Sequence, residues 1–379
     1  MSFASPVLPA RLRGIESACW ALGFLVFLGW CLLILGPPGI PGRGLDFRIF
    51  YTAASLPLSE LYELETQKQF QAELWREYGS FVASPFPRPP FYAFLLKPLA
   101  MLGYVPALHA WLALLVLALG ASGLLLRSLY GASYGVLFVF IGFYPIAVSL
   151  RNGQDSALIL LALLLGLKFH RRDRIWLAAA CWAFAFQKFN LLYLLPVVLL
   201  VHHQRKLLQR LAVLGVGLAV ASVSAIGHDG FDAYLNLLTN GSLDELFWTA
   251  WNIRAIVWHF GWSQPLYVLV TVAAIAGSVW LIRKLPFETA VWFSVAASLL
   301  LSWHSYCYDY TVALPFFLLA WRQFRAYLAG AGLAGAFWPH FFNEAATSWL
   351  IAAALLALGV ELAVKLRSAA RPAEKQATA

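Results

Sequence analysis

Residues 107–126 read ALHAWLALLVLALGASGLLL and contain no Asp, Glu, Lys or Arg. A helix of this length rises about 30 Å, which is the thickness of the hydrocarbon layer of a bilayer. Two further runs, 18–36 and 351–366, are also mostly apolar, the second with Glu361 and Lys365 near its end. Because lipid offers no hydrogen-bond partner to backbone polar groups, such runs cross a membrane as α-helices. These stretches therefore predict an all-α membrane protein.

The composition of the whole chain agrees with this class. The 379 residues are 61% hydrophobic and 12% charged, with a mean hydropathy of +0.72, whereas soluble domains carry about 25% charged residues. The net charge of +9 does not indicate nucleic-acid binding, because the basic residues do not cluster in one polar domain. The four cysteines lie singly within apolar stretches. They predict neither disulfides nor a zinc site, and we expect no metal and no cofactor.

Apolar runs between polar breaks predict a polytopic transmembrane helical bundle of about twelve spans. The spans start near residues 17, 105, 133, 155, 174, 190, 211, 264, 286, 306, 326 and 346. With a cytoplasmic N-terminus, 18 of the 27 Lys and Arg residues fall on the inner side, as the positive-inside rule requires. Of the 18 acidic residues, 13 fall outside. We therefore expect a multi-pass protein of the cell membrane with both termini in the cytoplasm.

The largest polar segment, residues 37–104, predicts an outer loop with interfacial helices. It contains two proline clusters and two helical patterns, over residues 47–56 and 63–78. The apolar stretch 91–102 is short and is interrupted by Lys97-Pro98. A re-entrant or interfacial helix fits this stretch better than a full span.

The rest of the chain predicts one further loop and a tail. Residues 228–252 form a second polar stretch between apolar runs, and we expect a second outer loop there. Residues 369–379 are polar and predict a disordered cytoplasmic tail. Residues 1–368 then form a single transmembrane domain.

Polar groups from distant segments fall on the outer face under this topology. They are Asp46, the run Arg151-Asn152-Gly153-Gln154-Asp155, Lys188, Asn190, Asn252, Arg254, and His304, Tyr306 and Asp309. Ionisable groups at the ends of membrane helices usually belong to a substrate site, although a solvated loop charge is the alternative. We favour a site for Arg151 and Lys188, because they lie between closely spaced apolar runs where no long loop exposes them.

Two roles are open for Asp46, which follows a glycine-rich linker and precedes a predicted helix. The side chain can cap that helix by accepting backbone N–H groups. It can equally act as a general base at the membrane surface. His304 lies in an aromatic break between two apolar runs, where a lone histidine is more often an interfacial hydrogen-bonding residue.

Short motifs at these positions suggest a family. They are Asp46-Phe47-Arg48-Ile49-Phe50-Tyr51, the proline cluster before Phe91, Asn152-Gly153-Gln154 before an apolar run, and Lys188 shortly before Leu194-Leu195-Pro196. Over about residues 17–325 the chain resembles glycosyltransferase family 87, a group of polyprenol-phosphate-mannose-dependent mannosyltransferases in the C-class superfamily of membrane glycosyltransferases. The resemblance implies that Asp46 is the catalytic base at the outer face. The chain departs from the family pattern at Phe189, where a proline often follows the lysine, and at Arg88, which interrupts the proline cluster.

The resemblance and the charge pattern predict the transfer of one sugar, mannose, from a polyprenyl-phosphate donor to a lipid or glycan acceptor at the extracytoplasmic face. Donor phosphate binding is assigned to Arg151, Gln154 and Lys188, because cations can neutralise the leaving phosphate. Asp46 takes the acceptor proton, and attack from the opposite side inverts the anomeric carbon. Substrate binding is assigned to Asn152, Asn190, Asn252, Arg254, His304, Tyr306 and Asp309.

The alternative is a transporter or flippase of a lipid-linked saccharide, which also needs many helices and cationic pockets. That class predicts inverted repeats and charges near the bilayer midplane. The sequence has no repeat of fixed period, and its polar groups fall at one end of the predicted spans. We therefore favour the enzyme, with the sugar donor, the acceptor and membrane lipids as its partners.

Overall fold

The computed structural model describes residues 46–76, 84–131, 143–239 and 250–323. Within these ranges all regular structure is helical and no strand occurs, which confirms the predicted all-α class. The spans predicted near residues 17, 133, 326 and 346, and the tail 369–379, lie outside the described residues. A single domain over residues 1–368 stays a prediction.

The described residues form thirteen α-helices and three short 3₁₀ helices. In chain order they are α1 (Phe47–Ser55), α2 (Leu64–Trp75), α3 (Pro90–Ala100), α4 (Tyr104–Tyr130), α5 (Tyr144–Asn152), α6 (Ser156–Arg171), α7 (Ile175–Ala185), α8 (Leu195–Val201), α9 (Arg205–Thr239), α10 (Ile253–His259), α11 (Gln264–Lys284), α12 (Phe287–Leu301) and α13 (Leu314–Gln323). Short 3₁₀ helices are Leu58–Glu60, Phe186–Leu191 and Cys307–Ala313. The helices predicted within the first outer loop are confirmed as α1 and α2, each to within three residues.

Proline and glycine residues set several of these boundaries. Leu56 ends α1 in an extended conformation, with ψ 147°, because it precedes Pro57. Pro90 begins α3, where its missing N–H and fixed φ are no disadvantage. Gly131 ends α4 in the left-handed conformation, with φ 62°.

Three helices of the described residues, α4, α9 and α11, are long and apolar enough to cross a membrane. Two bent pairs raise this number to five if each pair crosses as one span: α5 with α6, and Ile175–Leu191 with α8, each bent by 120°. The predicted count of twelve is not confirmed. The runs predicted as spans near residues 155, 174 and 286 form α6, α7 and α12, which have 16, 11 and 15 residues, fewer than the roughly 20 that a span needs.

The segment predicted as a second outer loop begins in a helix, and its place outside the membrane stays a prediction. Residues 228–239 are helical and continue α9 beyond Gly227, whose backbone departs from helical geometry with φ 72° and ψ −177°. The polar residues that suggested a loop, such as Asp229 and Asp232, are exposed, while Leu237 on the same helix is buried. The first half of this segment is thus an amphipathic helix, and residues 240–249 lie outside the described residues.

The chain divides into two compact units. The first comprises residues 1–142, 146–188 and 209–246, and in it α6 packs against both α4 and α7, while α1 packs against α3. Close contact of α6 with α7 depends on Gly166, where a Cβ would lie 2.1 Å from Nε1 of Trp182. The second unit comprises residues 143–145, 189–208 and 247–379. Its core is α12, which packs against α8, α11 and α13.

Candidate active site

The turn Asn152–Asp155, which joins α5 to α6, lies against the start of α1. The backbone N–H of Asp46 donates a hydrogen bond to the Asn152 carbonyl at 3.0 Å. Gly153 has φ +71°, and a Cβ at this position would lie 2.8 Å from Cβ of Phe47. Only glycine combines this backbone conformation with so close an approach. Two motifs that are far apart in the sequence are therefore in direct contact.

Further hydrogen bonds hold this turn in place. The indole Nε1 of Trp111, on α4, donates to the Gly153 carbonyl at 2.7 Å. Ser149 and Gln154 exchange two hydrogen bonds, since the Gln154 N–H donates to the Ser149 carbonyl at 2.7 Å and the Ser149 hydroxyl donates to the Gln154 carbonyl at 3.0 Å. The backbone around Asp46 thus rests on a turn with a fixed conformation.

The Asp46 side chain does not cap α1. It makes no cap hydrogen bond, and the residue has φ −89° and ψ −22°, whereas an N-cap residue is typically extended. Arg48 is only 4% exposed, and burial lowers its pKa while the charge of Asp46 acts in the opposite direction, as does Tyr104. The half-buried Asp46 carboxylate is therefore placed by the backbone and attracted by a neighbouring cation, and it does not serve as a cap.

A buried ion pair lies at the other end of the same turn. Nη2 of Arg88 is 3.1 Å from Oδ1 of Asp155, and Asp155 has no exposed surface. Burial raises the pKa of Tyr92 well above its usual value; the Asp155 carboxylate adds to this rise, while the charge of Arg88 and the Gln187 side chain oppose it. Arg88, Tyr92, Asp155 and Gln187 thus form a polar cluster inside the first unit.

The predicted phosphate-binding residues differ in their surroundings. Lys188 is 4% exposed and lies in the 3₁₀ helix Phe186–Leu191, where its own backbone is non-helical with φ −119° and ψ 61°. Gln154 is buried, and its Oε1 has no hydrogen-bond partner among the described residues. Arg151 is exposed near the end of α5, although no long loop follows it. The helix ends at Asn152, and the chain is buried from Gly153 onward.

Other predicted substrate residues gather in the second unit around residues 302–309. The Asn190 side chain donates to the Ser302 hydroxyl at 3.2 Å and also to the His304 carbonyl. The imidazole of His304 packs edge-on against the ring of Tyr306, with 4.8 Å between the ring centroids. Asn190 therefore holds the backbone from which His304 projects.

Asn252 and Arg254 contact the same segment. The Asn252 carboxamide oxygen caps α10 by accepting the Ala255 N–H at 2.9 Å, and its nitrogen donates to the Trp303 carbonyl at 3.3 Å. The Arg254 guanidinium lies over the Trp303 ring, 5.2 Å from its centroid. Trp303 remains 47% exposed. This part of the second unit presents an aromatic surface with a cation beside it.

The Asp309 carboxylate binds a backbone N–H group of its own segment. It is fully buried, and its Oδ2 accepts the Tyr306 N–H at 2.9 Å at the start of the 3₁₀ helix Cys307–Ala313. A carboxylate that caps a helix in this way is held in place by the backbone.

A comparison with protein families matches residues 86–305 to glycosyltransferase family 87. This match covers more than half of the 379 residues. The chain belongs to glycosyltransferase family 87. The resemblance drawn from the short motifs is thus confirmed, and membership of the family makes the chain a glycosyltransferase, with apolar helices typical of a membrane protein. No curated protein matches the chain significantly.

Within this family 87 chain, most of the buried polar cluster is not among the residues predicted from the sequence. Arg88 is there only a departure from the family pattern, and Asp155 has no role of its own. The available signal was an arginine enclosed by prolines and aromatic residues, since a charge in apolar surroundings needs a partner. Nothing in the sequence distinguished Gln187 or Tyr92 from ordinary loop and helix residues.

Proposed function

We propose that this glycosyltransferase transfers one mannose from a polyprenyl-phosphate donor to a lipid or glycan acceptor, with inversion, at the extracytoplasmic face of the cell membrane. Family membership gives the reaction class and favours an enzyme over a transporter. The observation that carries the mechanism is the contact of Asp46 with the turn Asn152–Asp155, together with a carboxylate that makes no cap hydrogen bond. A base held by its backbone while its side chain is not used as a cap is suited to proton transfer.

In this mechanism Asp46 removes the proton of the acceptor hydroxyl as its oxygen attacks the anomeric carbon. The new C–O bond forms on the face opposite the donor phosphate. The bond from the anomeric carbon to the phosphate oxygen breaks, and the polyprenyl phosphate leaves with the electron pair. One base and one leaving group in line give inversion at the anomeric carbon.

Lys188 is the cation best placed to stabilise the leaving phosphate. Its side chain is almost fully buried, and a charge acts more strongly in surroundings of low dielectric constant than in water. We assign Gln154 and Asn152 to the same substrate region, because both belong to the turn that contacts Asp46. Arg151, being exposed, meets the donor phosphate at the membrane surface.

In the second unit we assign direct substrate contacts to Arg254, His304 and Tyr306. The exposed ring of Trp303 beside the Arg254 guanidinium offers a flat apolar surface and a charge, which suit a sugar phosphate or a glycolipid headgroup. Three other residues, Asn190, Asn252 and Asp309, act on substrate indirectly, because each holds a backbone group of the segment 302–309.

The donor assignment is tested with purified protein, a membrane lipid extract as acceptor, and radiolabelled mannose on two carriers, polyprenyl phosphate and guanosine diphosphate. We expect labelled lipid or glycan product only from the polyprenyl-phosphate donor. A product formed from the nucleotide sugar alone would overturn the donor class and leave the family assignment intact.

A further inference from the structure

The turn Asn152–Asp155 holds two distant points of the polar segment 37–104, which carries Asp46. At the first point, the Asp46 N–H donates to the Asn152 carbonyl. At the second, the Arg88 guanidinium pairs with the Asp155 carboxylate, three residues further along the turn. Two points separated by more than forty residues of chain are thereby tied to one short turn.

The ion pair of Arg88 with Asp155 is buried, so each partner depends on the other. Loss of one partner leaves an uncompensated charge in apolar surroundings, so the arrangement around a buried pair is strongly constrained. The exposed pair of Glu65 with Lys68 in the same unit, at 2.9 Å, has no such effect, because water solvates both groups. The Arg88 to Asp155 pair is further braced by Tyr62, whose hydroxyl donates to the Arg88 carbonyl at 2.5 Å.

The same ion pair belongs to the buried polar cluster that also contains Tyr92 and Gln187. The Tyr92 hydroxyl is close enough to Asp155 and to Gln187 for both side chains to act on its pKa. Gln187 directly precedes Lys188 in the 3₁₀ helix Phe186–Leu191. Asp155 therefore belongs both to the turn that holds the Asp46 backbone and to the polar cluster whose Gln187 directly precedes the proposed phosphate-binding lysine.

We propose that Asp155, held by Arg88, is a positioning residue that sets the place of the Asp46 carboxylate in the reaction. It acts through the turn, whose Asn152 carbonyl fixes the Asp46 backbone, and it does not touch the substrate itself. This inference rests on the proposed role of Asp46 as the base. A displacement of about 1 Å in a catalytic group lowers the rate by about 100-fold, so a small shift of the turn is enough to reduce turnover.

The test is a double-mutant cycle of Asp155→Asn and Asp46→Asn, with kcat and KM measured for polyprenyl-phosphate mannose. We expect Asp155→Asn alone to lower kcat by about 10- to 100-fold with KM changed less than about threefold. In the Asp46→Asn background the same substitution should cause almost no further loss, because residues that act as one unit are not additive. Glu65→Gln, which changes an exposed carboxylate of the same unit, should leave both constants unchanged.

The other possible results contradict the positioning role of Asp155, the assignment of Asp46 as the base, or both. Equal fold-losses in both backgrounds, or an unchanged kcat in Asp155→Asn, overturn the positioning role and leave the base assignment standing. An active Asp46→Asn enzyme overturns both. If Asp155→Asn does not fold, Arg88→Lys is the second variant, because it keeps the charge but not the planar geometry of arginine. This variant should lower kcat by a smaller factor and preserve KM. An unchanged kcat in Arg88→Lys also overturns the proposal.

Discussion

At the scale of single residues, charged side chains that look alike in the sequence have different surroundings in the structure. The sequence places Lys188 and Arg151 alike at the ends of predicted spans, yet Lys188 is buried and Arg151 is exposed. Asp46 precedes α1 and makes no cap hydrogen bond with it, whereas Asp309 lies within the 3₁₀ helix Cys307–Ala313 and accepts the Tyr306 N–H at its start. These differences support the proposal that Asp46 acts in catalysis and Lys188 in donor binding, while Asp309 holds the backbone.

Removal of the two cations should therefore have unequal effects on donor binding. Charge-assisted contacts of buried groups contribute about 1.5 to 3 kcal/mol, so Lys188→Ala should weaken the affinity for polyprenyl-phosphate mannose by about 10- to 100-fold. Arg151→Ala should weaken it by less than about fivefold, because an exposed charge is screened. Equilibrium binding in detergent micelles measures both, with Lys68→Ala as an exposed control. Equal affinity in Lys188→Ala and the wild type would contradict the phosphate-binding role.

A substitution at Gly153 tests the contact between the turn and α1. Gly153→Ala forces a side chain into a left-handed backbone position, at 2.8 Å from Cβ of Phe47, and we expect a loss of about 2 kcal/mol in stability. Thermal unfolding in detergent measures this loss, and kcat should fall together with it. The control is Gly120→Ala in α4, where no atom lies within 4 Å and the substitution should be neutral or slightly stabilising. Equal stability of both variants would contradict the described contact.

At the scale of helices, regular elements were predictable and their bends were not. The helices α1, α4 and α11 follow from apolar runs that are bounded by polar or breaking residues. The bend at Asn152–Asp155 depends on the left-handed Gly153, and that conformation is stabilised by contacts with Phe47 and Trp111 from distant parts of the chain. The apolar pattern does not specify such contacts, so it predicts either one continuous span or two separate spans in place of a bent pair.

The packing of α6 on α7 offers a second test at this scale. Gly166→Ala places a methyl group 2.1 Å from Nε1 of Trp182, a rigid ring whose N–H donates to the Leu163 carbonyl at 3.2 Å. Overpacking of this kind costs about 1 to 3 kcal/mol, and the midpoint of thermal unfolding should fall accordingly. Gly217→Ala on α9, with no atom within 4 Å of the added group, is the matched control. An unchanged midpoint for Gly166→Ala would show that the two helices are further apart than described.

At the scale of the whole molecule, the class of the protein was predictable and the number of spans was not. Composition and apolar runs predicted an all-α membrane protein, and short motifs predicted the family, because both depend on local sequence. The ion pair of Arg88 with Asp155 joins residues 67 positions apart, and local patterns do not pair such groups. The sidedness of the protein rests on the distribution of basic residues and stays a prediction.

Cysteine labelling tests that sidedness at exposed positions. In a variant without the four native cysteines, single cysteines at Glu65 and Trp303 should react with a membrane-impermeant maleimide added outside intact cells. Cysteines at Arg172 and Lys206, which are also exposed, should react only after the membrane is opened. Labelling of position 65 or 303 only from the cytoplasmic side would contradict an extracytoplasmic site.

The turnover of Asp46→Asn shows whether Asp46 is the catalytic base. Asparagine keeps the size of the side chain and can still accept a hydrogen bond, but it cannot take a proton, and a general base contributes about 10² to 10⁴ in rate. We expect a folded enzyme that binds polyprenyl-phosphate mannose normally and has a kcat at least about 100-fold below that of the wild type, while Glu65→Gln keeps full activity. A kcat of Asp46→Asn above about a tenth of the wild-type value would contradict the assignment of Asp46 as the base.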